Sequence, residues 1–386
     1  MGIPRRAFVG GSLAWTTLLL AGCGSAAAPA SSPSAPSSSP SSATPKPAGS
    51  APGSAKPAAS GAASAKPAAS AAASAKPAVS AAPGVVNAAW VALTANQMLW
   101  PLAVDAGLFD KYGVKFNLTY IQGSVTSVQA LKAGDLQTTE VAGSAVVAAQ
   151  AVKQDLVMTL GFVNDVFWRI MAPASITSVD QLRGKTVAVT KVGNADYFAW
   201  TLLAKQKGWS PTDFTFVAAG NAPGQVALLS SGQAQALALS PPNDVLAQKV
   251  GAHLLLDESQ FKVPEAGVGM AVSKAYLAQN RQTVLNVAKA TVEAIHRWKK
   301  DPAFAKGVIK KYLKQSDQQF IDTGYAAYTP LFPDDPMPNA SAFQTVIDEV
   351  GEQTAAAKSV TPAQCIDTSI MKELEDSGFV KQILSS

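Results

Sequence analysis

Apolar positions along this chain fall into short runs that alternate with longer, periodic stretches. Runs rich in β-branched and aliphatic residues at 89–93, 115–120, 138–141, 156–161, 186–189, 215–218, 236–239 and 253–256 predict strands. Helical patterns lie between them, and three stop one residue before a glycine: 101–106 before Gly107, 125–133 before Gly134 and 196–207 before Gly208. Glycine there suits the left-handed residue that closes many helices. Later helices are predicted at 282–300, 302–313 and 342–357. In the first of these, Val284, Val287, Ala288, Val292 and Ile295 recur at helical spacing and mark core packing. Strands alternating with helices predict an α/β protein with largely parallel sheets.

The pattern carries an internal echo. Val91-Ala92-Leu93-Thr94 opens one half and Val187-Ala188-Val189-Thr190 opens another. Gly134 precedes Gln137 by three positions, as Gly232 precedes Gln235. Two similar lobes follow, each running strand, loop, helix, strand, loop, helix, strand, loop. In open parallel sheets the loops at strand C-terminal ends surround the ligand crevice. Those loops supply Thr94, Asn96 and Gln97, then Gly123 and Ser124, then Gly143 and Ser144 from the first half. The second half supplies Thr190, Gly193 and Asn194, then Asn221, then Ser240 and Asn243. These are the candidate ligand-binding residues. Small polar side chains can bond a ligand or cap a helix, and helix N-termini offer unpaired amide donors.

The first 84 residues read differently. Arg5 and Arg6 precede an apolar stretch that ends in Leu20-Ala21-Gly22-Cys23. A positive start, an apolar middle and small residues before the cut describe an export signal over 1–22. The last four residues resemble a bacterial lipobox, which makes Cys23 the expected lipidation site. Arg5-Arg6 also resembles a twin-arginine signal, so the export route stays open. From 23 to 84 the chain is almost entirely Ala, Ser, Pro, Gly and Lys, with Ala55-Lys56-Pro57-Ala58 repeated at 65–68 and 75–78. Such a segment buries too little apolar surface to offset its ordering entropy, and a disordered tether is expected.

The net charge of +5 belongs to that leader. Its six basic residues (Arg5, Arg6, Lys46, Lys56, Lys66 and Lys76) face no acidic one. Removing them from the 31 basic residues leaves 25 against 26 acidic ones. A near-neutral domain without a basic cluster offers little to a phosphate backbone, so no nucleic-acid partner is expected. With Cys23 lipidated, Cys365 has no partner for a disulfide. No spacing of His, Cys, Asp and Glu suggests a metal or cofactor site, and none is expected.

Four segments in order then resemble one family. They are Pro101-Leu102-Ala103-Val104-Asp105-Ala106-Gly107-Leu108-Phe109 with Tyr112-Gly113-Val114, and Gly123-Ser124 with Gln129-Ala130-Leu131-Lys132-Ala133-Gly134-Asp135. The others are Ser178-Val179-Asp180-Gln181-Leu182-Arg183-Gly184-Lys185-Thr186-Val187-Ala188-Val189, and Ala227-Leu228-Leu229-Ser230-Ser231-Gly232-Gln233-Ala234-Gln235-Ala236 leading to Ser240-Pro241-Pro242. Together they resemble the solute-binding proteins of ABC importers, in the nitrate, taurine, alkanesulfonate and thiamine-pyrimidine group.

The resemblance implies the type II periplasmic-binding-protein fold, with two lobes closing on one solute. It implies lobe 1 at 85–170 and 270–386, lobe 2 at 171–269, and hinge crossings near 166–171 and 267–272. The C-terminal helices would return to lobe 1. A monomer on the extracytoplasmic face of the membrane, held by its lipid, would deliver solute to an ABC permease and its ATPase subunits. The alternatives are an enzyme related to thiamine-pyrimidine synthases and an extracellular sensor. The enzyme would need histidine chemistry and a cysteine-rich motif, but the chain has only His253, His296 and one cysteine beyond Cys23. The solute stays open. Trp100, Trp168, Tyr197 and Phe198 could stack on a ring, Arg169 could hold an anion, and Asp196 could bond a ring nitrogen or cap its helix.

Overall fold

A computed structural model describes residues 85–386. Cys23 and the segments expected to be an export signal and a tether lie outside the described residues. Among the described residues there are ten strands: β1 (Val85–Trp90), β2 (Lys115–Tyr120), β3 (Thr138–Val141), β4 (Leu156–Asp165), β5 (Arg169–Pro173), β6 (Thr186–Val189), β7 (Thr215–Ala218), β8 (Ala236–Leu239), β9 (Ala252–Asp257) and β10 (Pro264–Ser273). They form two five-stranded sheets, ordered β2-β1-β3-β10-β4 and β7-β6-β8-β5-β9. Glycines 107, 134 and 208 follow their helices with φ of +66°, +85° and +67°, the left-handed cap the sequence predicts.

The sheets share one plan, and the echoed glutamines show why. Gln137 Oε1 accepts the Asn87 amide at the start of β1 (2.8 Å), while its Nε2 donates to Gly134 O (3.3 Å). Gln235 makes the same clamp, accepting from Thr186 N (3.1 Å) and donating to Gly232 O (3.0 Å). Each glutamine ties the turn before one strand to the start of its parallel neighbour.

The sheets are mixed rather than largely parallel. β10 runs antiparallel to β3 and β4, and β5 runs antiparallel to β8 and β9. Both are the continuous apolar runs that sequence reasoning assigns to hinges. The second crossing accordingly lies at 258–263, not at 267–272, which sits inside β10. The first crossing occupies 166–168, so Arg169 and Ile170 already belong to the second sheet. β1 is also displaced from 89–93, because Val91 turns out of the sheet and donates its amide to Gln97 Oε1 (3.0 Å).

Helices over Arg281–Lys300, Pro302–Tyr312 and Ala340–Gln353 pack with the first sheet, and Asp367 N donates to Met158 O on β4 (3.0 Å). The long helix buries Val284, Val287, Ala288, Val292, Ile295 and Trp298, so its apolar stripe is core. Trp100 is core too, with its indole N–H donating to Thr291 Oγ1 (3.1 Å). Among the described residues no helix is long and apolar enough to cross a membrane.

Candidate functional site

The two crossings lie side by side. Val166 N donates to Val263 O (3.1 Å) and Glu258 N to Trp168 O (2.9 Å). From this spine the strand-end loops of the two sheets face each other. Thr94 Oγ1 donates to Pro241 O (2.7 Å), Ser240 Oγ lies 3.3 Å from Thr94 Oγ1, and Gln122 Nε2 donates to Gly220 O (3.0 Å). Loops after β1, β2, β7 and β8 therefore meet across one crevice.

Within the crevice the loop residues divide by what they already bond. Thr190 is committed, since its amide and hydroxyl both donate to Asp196 (2.5 and 2.8 Å) and its Oγ1 accepts from Asn194 (2.9 Å). Asn221 caps the Ala222–Ser230 helix by accepting from Gly224 N (2.8 Å). Gln97 holds the β1 turn, and Ser124 Oγ accepts from Ala142 N (3.3 Å), tying together the loops after β2 and β3. Gly123 N donates to Val91 O (2.9 Å), and Asn243 is a buried lead-in to the Asp244–Gln248 helix. Gly143 opens the Gly143–Ala151 helix hard against Ala266, where an added Cβ would stand 2.4 Å from the Ala266 Cβ. Gly193 precedes Asn194 at the start of the Ala195–Lys207 helix. Asn96 and Ser144 keep capacity for a ligand: Asn96 is buried with Oδ1 unpartnered, and Ser144 is half-buried at its helix start.

Two charged residues resolve. Arg169 is spent within the protein, bonded to Asp244 (2.6 Å) and 3.7 Å from Asp257, and so is not a free anion ligand. Asp196 is buried and accepts from Thr190 and from Gln225 Nε2 (2.8 Å). It braces the loop after β6 instead of facing a ligand. Burial raises its carboxyl to about 6, against hydrogen bonds that pull it down.

Sequence reasoning missed the spine itself. Phe167 stacks on Trp168 (centroids 4.9 Å apart) and meets Tyr328 edge-on (5.6 Å), so an aromatic row runs beside the first crossing. Beside it lie the buried carboxylates Glu258, Glu265 and Glu349. Burial drives all three upward, and Glu265 reaches about 7. Isolated acids inside apolar runs were the available signal: Glu265 lies in Val263-Pro264-Glu265-Ala266-Gly267-Val268. Among the described residues no group of three His, Cys, Asp or Glu side chains is placed to hold a metal ion.

Residues 96–305, more than half of the chain, match the family described as NMT1/THI5 like. No curated protein matches the sequence. Solved structures similar to this one include the periplasmic aliphatic sulphonate binding protein SsuA from Escherichia coli. It is 18% identical with a TM-score of 0.62, over 74% of this chain and 92% of that one. The periplasmic nitrate-binding protein NrtA from Synechocystis PCC 6803 is 13% identical with a TM-score of 0.61, over 78% and 91%. The ligand-binding component of an ABC-type import system from Staphylococcus aureus, with zinc bound, is 14% identical with a TM-score of 0.63, over 75% and 98%. At these identities the likeness establishes the fold, the type II periplasmic-binding-protein architecture.

Proposed function

The chain belongs to the NMT1/THI5-like family, and from that premise we propose that it is the solute-capturing component of an ABC importer. It closes two lobes, one built on each sheet, over a small polar solute outside the cytoplasm. It then presents the solute to a membrane permease driven by ATPase subunits. One observation carries the reading: among the described residues two crossings join the two sheets, and their strand-end loops touch across the crevice through Thr94, Pro241 and Ser240. That arrangement permits hinge closure. The similar structures of a sulphonate-binding protein, a nitrate-binding protein and an import-system component agree with it. Asn96 and Ser144 are the loop residues best placed to meet the solute.

Native mass spectrometry of the protein purified without denaturation tests this reading. A one-to-one small-molecule adduct, released on unfolding, is expected. Protein free of adduct and unresponsive to any candidate solute would refute it.

Cys23 is the proposed lipid anchor. Cys23→Ala is expected to move the protein from the membrane fraction to the soluble one with its melting temperature unchanged. A variant that still sediments with membranes after a carbonate wash would remove the anchor from the account.

A further inference from the structure

Three carboxylates converge where the second crossing re-enters the first sheet. Glu258 lies on the crossing, Glu265 is the second residue of β10, and Glu349 projects from the Ala340–Gln353 helix. Their exposures are 0%, 6% and 6%. Glu258 feels the charges of both others. Neither Glu258 oxygen has a hydrogen-bond partner, nor does Glu349 Oε2. The Trp168 indole N–H, on a side chain only 7% exposed, is directed at Glu265 without a hydrogen bond of regular geometry. Native interiors pair nearly all such groups, so unpaired ones in one place call for an explanation.

No cation among the described residues supplies it. Arg169, which follows the first crossing, is held by Asp244 and Asp257, and Lys262 on the second crossing is exposed. Lys205 reaches toward Glu349 from the Ala195–Lys207 helix, but it is exposed, and Asp348 and Glu352 offset it. The side chains do not gather closely enough to hold a metal ion. What the site lacks is a larger positive group with several N–H donors.

We propose that the crevice takes an organic cation, its ammonium or amidinium group seated among Glu258, Glu265 and Glu349 beside the Trp168 ring. An ammonium brings three donors and an amidinium four, matched to carboxylate acceptors. The Trp168 indole N–H, directed at Glu265, holds that carboxylate toward the others. The ligand touches the crossing through Glu258, and the first lobe through Glu265 and Glu349. Its charge therefore favours the arrangement that brings these groups together. This assignment rests on the solute-capture reading and gives it a ligand class.

The test uses the full chain in detergent, melted with putrescine and agmatine in one panel and ethanesulfonate and nitrate in another. A saturable rise in melting temperature with at least one cation is expected. The double substitution Glu258→Gln, Glu265→Gln keeps side-chain shape and is expected to weaken that cation roughly a hundredfold. Glu349→Gln alone gives a second measurement should the double variant not fold. Response to the anions only, or cation affinity unchanged in these variants, overturns the cation assignment while solute capture stands. Silence from both panels, together with no adduct in native mass spectrometry, overturns both.

Discussion

The ligand-free protein is expected to melt higher near pH 5.5 than near pH 8. Acid usually weakens proteins, because paired carboxylates lose their partners when protonated. Here the buried acids work the other way. Asp196 rises from 3.8 to about 6 and Glu265 from 4.5 to about 7, and burial also raises Glu140, Glu258 and Glu349. Above pH 4.5 the unfolded chain gives up protons that the folded chain keeps. The stability these groups contribute is fully present below their unfolded values and is lost as pH rises through the folded ones. Each unit of difference corresponds to about 1.4 kcal/mol. Asp196 and Glu265 alone then cost on the order of 3 kcal/mol between the two conditions, or about 5 °C for a chain this size. Asp317 and Asp322, paired with Lys249 and Lys306, are shifted downward and lose their contribution only in stronger acid. Scanning calorimetry across the range checks the sign. A melting temperature that climbs steadily from pH 5.5 to 8 would mean that these acids ionise freely in the folded state. Glutamine at positions 258, 265 and 349 should flatten the slope.

The largest single-residue effect is expected from Gly269→Ala. Gly269 lies in β10, between β3 and β4, at a shift in the β10–β4 register. A Cβ there would stand 2.2 Å from Leu160 O and 2.4 Å from Met158 Sδ. The carbonyl belongs to the paired strand and cannot move aside without breaking the ladder. A loss of about 3 kcal/mol or more is expected, enough to threaten folding. Gly307→Ala is the matched control. Gly307 is exposed within the Pro302–Tyr312 helix, and nothing lies within 4 Å of an added Cβ. That change should stabilise by about 0.5–1 kcal/mol. Urea titrations of both variants decide the matter: a Gly269→Ala midpoint close to the parent's would contradict the packing described.

Much of the architecture is legible in the sequence because its signals are local. Lys115–Tyr120, Thr138–Val141, Thr186–Val189, Thr215–Ala218 and Ala236–Leu239 appear at their predicted bounds, each flanked by turn residues or a glycine cap. The Gly134–Gln137 and Gly232–Gln235 spacing was visible as an echo, and the structure explains it as one hydrogen-bond clamp used twice. Partnership over long separations is not legible. β5 and β10 read as apolar connectors because nothing near them in sequence reveals the strands they insert between. The same limit applies to charge. Arg169 looked free until Asp244 and Asp257 arrived from distant positions, and Glu258, Glu265 and Glu349 come together only through the fold. Loop residues such as Thr190 and Asn221 were ambiguous by chemistry, since the groups that bond a solute also brace a turn.

The place of β10 bears on the order in which the molecule can be completed during synthesis. Every strand of the second sheet lies between Arg169 and Asp257, an unbroken stretch. Its native pairings are all available once the ribosome has released that stretch. The first sheet starts earlier and finishes later. β4 pairs with β10 and, through a single bridge at Met158, with Ile366 later still, so its hydrogen-bonding edges have no native partner until Pro264–Ser273 emerges. The half of the protein that begins first must therefore wait for the half inserted within it, with an apolar strand edge in need of shelter meanwhile.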